Sequence, residues 1–197
     1  MAALGLGVFI AVSAIAIVSY KKMLDDDTAR NSIQHAMTVA EDMLQIAVQT
    51  KMNKLQTEAD LKKYLEKRNI ATTRTPNGVF VNVQDFGSGE TVDSGKLIKV
   101  LYTGKNLDGK IFDSNMDTAF HKGNKPYEFL VGAQQVIPGW DEGLKVFKQG
   151  GKGTLYIPGM MAYKDQMVNK LIPPFSTLIF NIEIVEVQSV KNNKGNP

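Results

Sequence analysis

The chain has no cysteine. That excludes disulfides, thiolate catalysis and a lipidated N-terminal cysteine, and leaves the redox compartment open. Histidine is scarce: His35 and His121 are the only two, and they lie far apart. No His/Asp/Glu group has metal-ligand spacing, so no metal is expected. No charge of one sign dominates. The net charge of +3 is small and dispersed, which argues against a nucleic-acid partner. No glycine loop sits between a strand and a helix to cradle phosphate, so no nucleotide cofactor is indicated. A nucleophile–base constellation is missing too, which disfavours hydrolytic chemistry. There is no internal repeat and no low-complexity tract. The rest is ordinary for a folded protein: 43% hydrophobic and 22% charged residues in 197 positions, enough for one sizeable domain plus an appendage.

The longest uncharged stretch is N-terminal. Ala2 to Ser19 carries no charge, and Lys21-Lys22 and then Asp25-Asp26-Asp27 close it. Roughly eighteen apolar residues are just enough to span a bilayer core. A signal peptide is the competing reading, because Ala14-Ile15-Ala16 resembles a cleavage site. No basic residue precedes the run, however, so residues 1–22 read as an uncleaved transmembrane anchor. Ala3, Gly7 and Ala11 form a small-residue stripe that would let another membrane helix approach. Lys21-Lys22 alone would hold the downstream side in the cytoplasm. A hydrophobic start more often exports the downstream chain, so a periplasmic domain is the expectation and a cytoplasmic one the alternative.

Residues 23–70 read as a helical arm. Ile33, Ala36, Met37, Ala40, Met43, Leu44, Ala47, Val48, Met52 and Leu55 recur at steps of three and four. Thr57 with Asp60 resembles a capping box opening a second helix through Leu61, Tyr64 and Leu65, ending near Arg68-Asn69. A helix this long is not stable alone in water, so the apolar stripe must pack on something. Its own domain, a membrane-protein partner and a second copy of the chain are the candidates. His35 reads as a surface residue.

Beyond Ile70 the pattern changes to alternation and turn signals. Thr72 to Thr75, Pro76-Asn77-Gly78 and Val79 to Gln84 read as a hairpin. Leu97 to Thr103, Ile111 to Asp113, Tyr127 to Val131, Thr154 to Ile157 and Thr177 to Val187 read as strands. The stretch Val136-Ile137-Pro138-Gly139-Trp140-Asp141-Glu142-Gly143 organises them. A residue before proline is pushed out of the helical region, and proline then suits the first turn of a helix. A short helix carrying Trp140 comes next, with Asp141 and Glu142 in its first turn. Leu144, Val146 and Phe147 extend its apolar face, and Gly150-Gly151 stops it. The fold class is therefore α+β: one antiparallel sheet with one short helix packed on it, over residues 71–190. Residues 191–197 read as a flexible tail.

Tyr102-Thr103-Gly104, Asp108-Gly109-Lys110, Phe112-Asp113-Ser114, the Val136–Gly143 stretch, Ala162-Tyr163 and Ile172-Pro173-Pro174 occur in that order, before a terminal strand through Phe180. This ordered set closely resembles the FKBP-type peptidyl-prolyl cis–trans isomerases, from about Val79 to Gln188. The helical segment before it is similar to N-terminal extensions of bacterial members. The resemblance implies a half-wrapped sheet enclosing an apolar pocket for a proline ring, with proline-containing polypeptides as clients and no cofactor. It implies Trp140 as pocket floor, and Tyr102, Phe129, Val136, Ile137 and Phe180 as walls. Phe112 and Tyr127 would close the sides, with Ile172 in an overhanging loop. The polar, catalytic groups would be Asp113 at the rim, Tyr163 offering its hydroxyl to a substrate carbonyl, and Tyr102.

Two departures stand out. The family commonly has glycines after Ala-Tyr, but here Lys164 follows Tyr163, and no glycine appears through Lys170. A stiffer or differently shaped loop is expected there. The stretch from Asn115 to Lys125, carrying Phe120 and His121, is longer than in compact members and reads as a surface excursion. The expected activity is prolyl isomerisation on a membrane tether, assisting exported or emerging chains. The alternative is a weakly active assembly subunit of a larger membrane complex.

Overall fold

The structure is a computed structural model that describes residues 17–22, 26–117, 119, 125–168 and 170–190. Most of the Ala2–Ser19 run, the Phe120-His121 excursion and the 191–197 tail lie outside the described residues. Residues 17–22 are helical. Among the described residues, no helix is long and apolar enough to cross a membrane.

Helix α1 runs unbroken over Asp27–Lys67. It contains no proline or glycine, and Asp26 caps it, its carboxylate accepting the Thr28 and Ala29 N–H groups. The expected break at Thr57 is absent. The Thr57 hydroxyl donates back to the Lys54 carbonyl at 3.2 Å, so it is satisfied within a continuing helix. Asp60 accepts from Gln56 one turn earlier instead of capping. The helix stops where expected: Asn69 takes the left-handed conformation, and the Ile70 N–H donates to the Leu65 carbonyl.

The chain divides into two units, Met1–Lys51 and Met52–Pro197. In the first, Ile33, Met37, Met43, Leu44 and Val48 are exposed. The second contains the last part of α1 and all of the sheet. Seven strands form that sheet: β1 Thr73–Arg74, β2 Phe80–Asp85, β3 Lys96–Asn106, β4 Ile111–Ser114, β5 Tyr127–Leu130, β6 Lys152–Ile157 and β7 Leu178–Ser189. Their spatial order is β1-β2-β6-β7-β3-β4, with β5 also on β3. Every pairing is antiparallel.

Register decides what each face meets. Phe80 lies opposite Tyr156, and Tyr156 opposite Ile179. This row faces Leu61 and Leu65 of α1, both buried. The next row, Val81, Leu155 and Phe180, points to the other face and into the main core. The end of α1 therefore belongs to the domain rather than to an appendage ending at residue 70. Burying two leucines there contributes about 1.5–3 kcal/mol each.

On the core face lies helix α2, Pro138–Gly143. Ile137 is extended, as the following proline demands, and the Trp140 N–H donates to its carbonyl. Gly139 sets the helix flush on the sheet: a Cβ there would come within 2.3 Å of the Ile157 side chain. Asp141 and Glu142 reach other segments. Asp141 accepts the Gly132 N–H at 2.7 Å, and Glu142 accepts from the backbone and side chain of Asn77. The helix ends earlier than the sequence suggests. Leu144–Val146 tightens to a 3-10 turn, and Phe147 is extended because its carbonyl accepts the Val92 N–H.

Candidate active site

Four strands and two loops converge above α2. Tyr102 comes from β3, Phe112 and Asp113 from β4, Tyr127 from β5, and Phe180 from β7. Val136 and Ile137 precede α2, and Tyr163 follows β6. With Trp140, Gln134 and Gln135 they line a hollow of about 410 Å³. That lies within the range of small-ligand pockets. Trp140 is 4% exposed and stands nearly perpendicular to Tyr102 and Phe180. Its ring centroid is 5.0 Å from Tyr102 and 5.2 Å from Phe180, with interplanar angles of 82° and 87°. Such edge-to-face contacts hold the indole in one orientation. The Phe112 and Phe180 rings meet at 5.6 Å. They can do so because Gly104 has no side chain: a Cβ there would sit 2.7 Å from Phe112 and 2.8 Å from Phe180.

The polar groups cluster on one side. The Tyr102 hydroxyl donates to the Asp113 carboxylate at 2.6 Å. Burial pushes the Tyr102 hydroxyl far above its ordinary pKa, and the Asp113 charge adds to the effect. Tyr163 is raised too, first by burial and then by Asp113. Both phenols stay protonated at neutral pH, so Tyr163 can donate a hydrogen bond into the hollow. Among the described residues, no group of His, Asp and Glu could hold a metal ion.

A model of the FKBP-type peptidyl-prolyl cis-trans isomerase family matches residues 88–185. The crystal structure of FkpA from Escherichia coli superposes with a TM-score of 0.58 at 31% identity, over 83% of this chain and 74% of that one. The chain belongs to the FKBP-type peptidyl-prolyl cis–trans isomerases. A probable FKBP-type isomerase of Haemophilus influenzae is 40% identical over 57% of this chain and 44% of its own length. A probable isomerase named FkpA in Neisseria meningitidis is 35% identical over 72% of this chain and 49% of its own. The chain spans about half the length of these curated relatives.

Within this FKBP domain, nine of the residues singled out in the sequence border the hollow: Tyr102, Phe112, Asp113, Tyr127, Val136, Ile137, Trp140, Tyr163 and Phe180. Two do not. Phe129 is 2% exposed and packs behind the floor, 5.8 Å from the Trp140 ring. It shares a strand face with Tyr127, two residues earlier on β5, but lies deeper against Trp140, so it backs the site rather than walling it. Ile172 is 2% exposed. Its N–H donates to the Val168 carbonyl, which tucks the loop in, and it borders a neighbouring cavity of about 520 Å³ instead.

Two lining residues were not singled out. Gln134 has φ +57°, and the Gln135 side chain accepts the Leu130 N–H at 2.9 Å, closing the turn after β5. Sequence offers little signal for either, since a polar pair before Val136 reads as an ordinary loop. The glycine-less loop keeps a glycine-like path. Lys164 and Lys170 both take φ +55°, and the Lys164 backbone is pinned to Gly159 and Phe175. The hollow is left open.

Proposed function

We propose that this chain catalyses cis–trans isomerisation of prolyl peptide bonds in polypeptide clients. The observation that carries this reading is the open, ring-lined hollow over a buried indole, with a protonated Tyr163 hydroxyl at its wall. The barrier to rotation is about 18–20 kcal/mol, because the amide bond has partial double-bond character. Uncatalysed exchange takes tens to hundreds of seconds. The twisted transition state loses amide resonance, so its carbonyl is less polar than the planar one. A water-poor site walled by Tyr102, Phe112, Trp140 and Phe180 favours it over the planar ground state. Val136 and Ile137 grip the proline ring, and Tyr163 donates to a substrate carbonyl. Asp113 acts through Tyr102: accepting its hydroxyl fixes that wall of the pocket. No nucleophile, metal or cofactor is required.

The test is isomerisation of a short Xaa-Pro peptide by the full chain. Acceleration over the uncatalysed rate supports the reading, and a rate equal to background removes it.

The finer reading is that residues 1–22 tether the domain to a bacterial inner membrane on its periplasmic side, where exported chains are the clients. Protease accessibility in oriented vesicles decides sidedness. A second reading is favoured by the exposed apolar side chains Ile33, Met37, Leu44 and Val48. In it, the first unit docks a membrane-protein partner or a second copy, and the protein serves as an assembly subunit. Sizing after mild detergent extraction tests that: a lone monomer counts against it.

A further inference from the structure

A second hollow, of about 890 Å³, opens beside the first and shares Gln134, Val136 and Tyr163 with it. A polypeptide whose proline occupies the first can send one flank past the second within a residue or two, since each residue advances the chain by about 3.3–3.6 Å. The charged lining of this second hollow is Asp141, Glu142, Lys145 and Lys164.

These four charges are not equivalent. The carboxylates already serve the fold. Asp141 accepts the Gly132 N–H, and Glu142 accepts the Asn77 N–H at 3.3 Å and its side-chain amide at 2.9 Å. The ammonium groups make no close ion pair, although the Lys145 charge reaches Glu142 and Asp93 and helps to lower their pKa values. Among the described residues, no ion pair includes Lys145 or Lys164. Both are exposed. Lys164 also starts from a fixed point: its N–H donates to the Gly159 carbonyl at 3.0 Å, and its own carbonyl accepts the Phe175 N–H. It directly follows Tyr163, which borders both hollows, while the next residue, Asp165, borders neither.

Resting on the isomerase reading, we propose that the second hollow receives residues flanking the substrate proline and selects an acidic side chain there through Lys145 and Lys164. The pairing is partly solvated, so it is modest in strength and sensitive to salt.

The test uses the full chain and matched short prolyl peptides carrying Glu, Gln or Lys on one or the other flank of the proline. Binding is read from the fluorescence of Trp140, the only tryptophan, and turnover from the isomerisation rate. On one flank, Glu peptides should bind about threefold to fivefold tighter than Gln peptides at low salt, with Lys peptides weakest. High salt should shrink the difference. In a Lys145→Gln/Lys164→Gln double variant, the Glu-to-Gln ratio should fall to about one. Lys164→Gly, which suits the left-handed backbone, should lower the ratio as well. Equal handling of Glu and Gln peptides on both flanks would overturn the inference, as would a preference that survives the double variant. If Gln peptides are turned over and Glu peptides gain nothing, only the inference falls. If no peptide binds or turns over, the isomerase reading falls and takes the inference with it.

Discussion

Replacing Leu61 by alanine probes the junction of helix and sheet most sharply. Leu61 is 0% exposed and sits on the row made by Phe80, Tyr156 and Ile179. Nothing near it is positioned to refill the space, because Tyr156 and Ile179 are fixed by their strand register. Leucine-to-alanine changes at such sites cost about 2–5 kcal/mol. Taking about 3 kcal/mol, and about 2–4 °C per kcal/mol for a domain of this size, the midpoint should fall by about 6–12 °C. Thermal unfolding followed by circular dichroism would read it. Leu44→Ala is the control, because Leu44 is 66% exposed. It should stay within about 0.5 kcal/mol of the parent. If Leu61→Ala is no more costly than Leu44→Ala, the packing of the helix end on the sheet is wrong. A large cost at Leu44 would instead show that something covers that face in solution.

Other outcomes are equally specific. Gly139→Ala places a methyl group against Ile157 and should cost about 1–3 kcal/mol in urea unfolding, because α2 must lift from the sheet. Lys164→Gly removes a side chain from a left-handed position and should raise the thermal midpoint, by up to about 1 kcal/mol in stability. Tyr102 and Tyr163 have pKa values raised above their ordinary 10.0, so the stability they contribute is complete below pH 10 and is lost as pH rises toward the folded values. Phenolate absorbance and unfolding followed together above pH 10 would check this. At Glu142, burial raises the pKa but the Asn77 hydrogen bonds outweigh it, leaving it below 4.5. Its contribution is present above pH 4.5 and lost as pH falls through the folded value, so Glu142→Gln should flatten part of the acid limb of a stability profile.

The strands and the start of α2 were legible because they rest on local rules, and the pocket rings because the ordered motifs resemble those of the FKBP family. Alternation in Leu97–Thr103 and Thr177–Val187 has one reading, and Ile137-Pro138 permits only an extended residue followed by a helix start. The features that escaped were set by distant partners. Thr57 with Asp60 looks like a cap, yet the helix runs through because Leu61 and Leu65 gain burial on a sheet formed far along the chain. Phe147 leaves the helical pattern to bond with Val92. Phe129 and Ile172 belong to the right segments, but Phe129 is buried against Trp140 beneath Tyr127, and the Val168–Ile172 turn places Ile172 at a neighbouring cavity. Lysine at positions 164 and 170 suggested a reshaped loop, whereas hydrogen bonds to Gly159 and from Phe175 hold Lys164 in a glycine-like conformation.

The decisive measurement is the isomerisation rate of an Xaa-Pro peptide with the parent chain and with Trp140→Ala at matched fold content. We expect the parent to accelerate exchange well beyond the uncatalysed tens to hundreds of seconds, and the variant to lose at least about tenfold of that acceleration. A parent no faster than buffer, or a folded variant as fast as the parent, would contradict catalysis in the hollow above the indole.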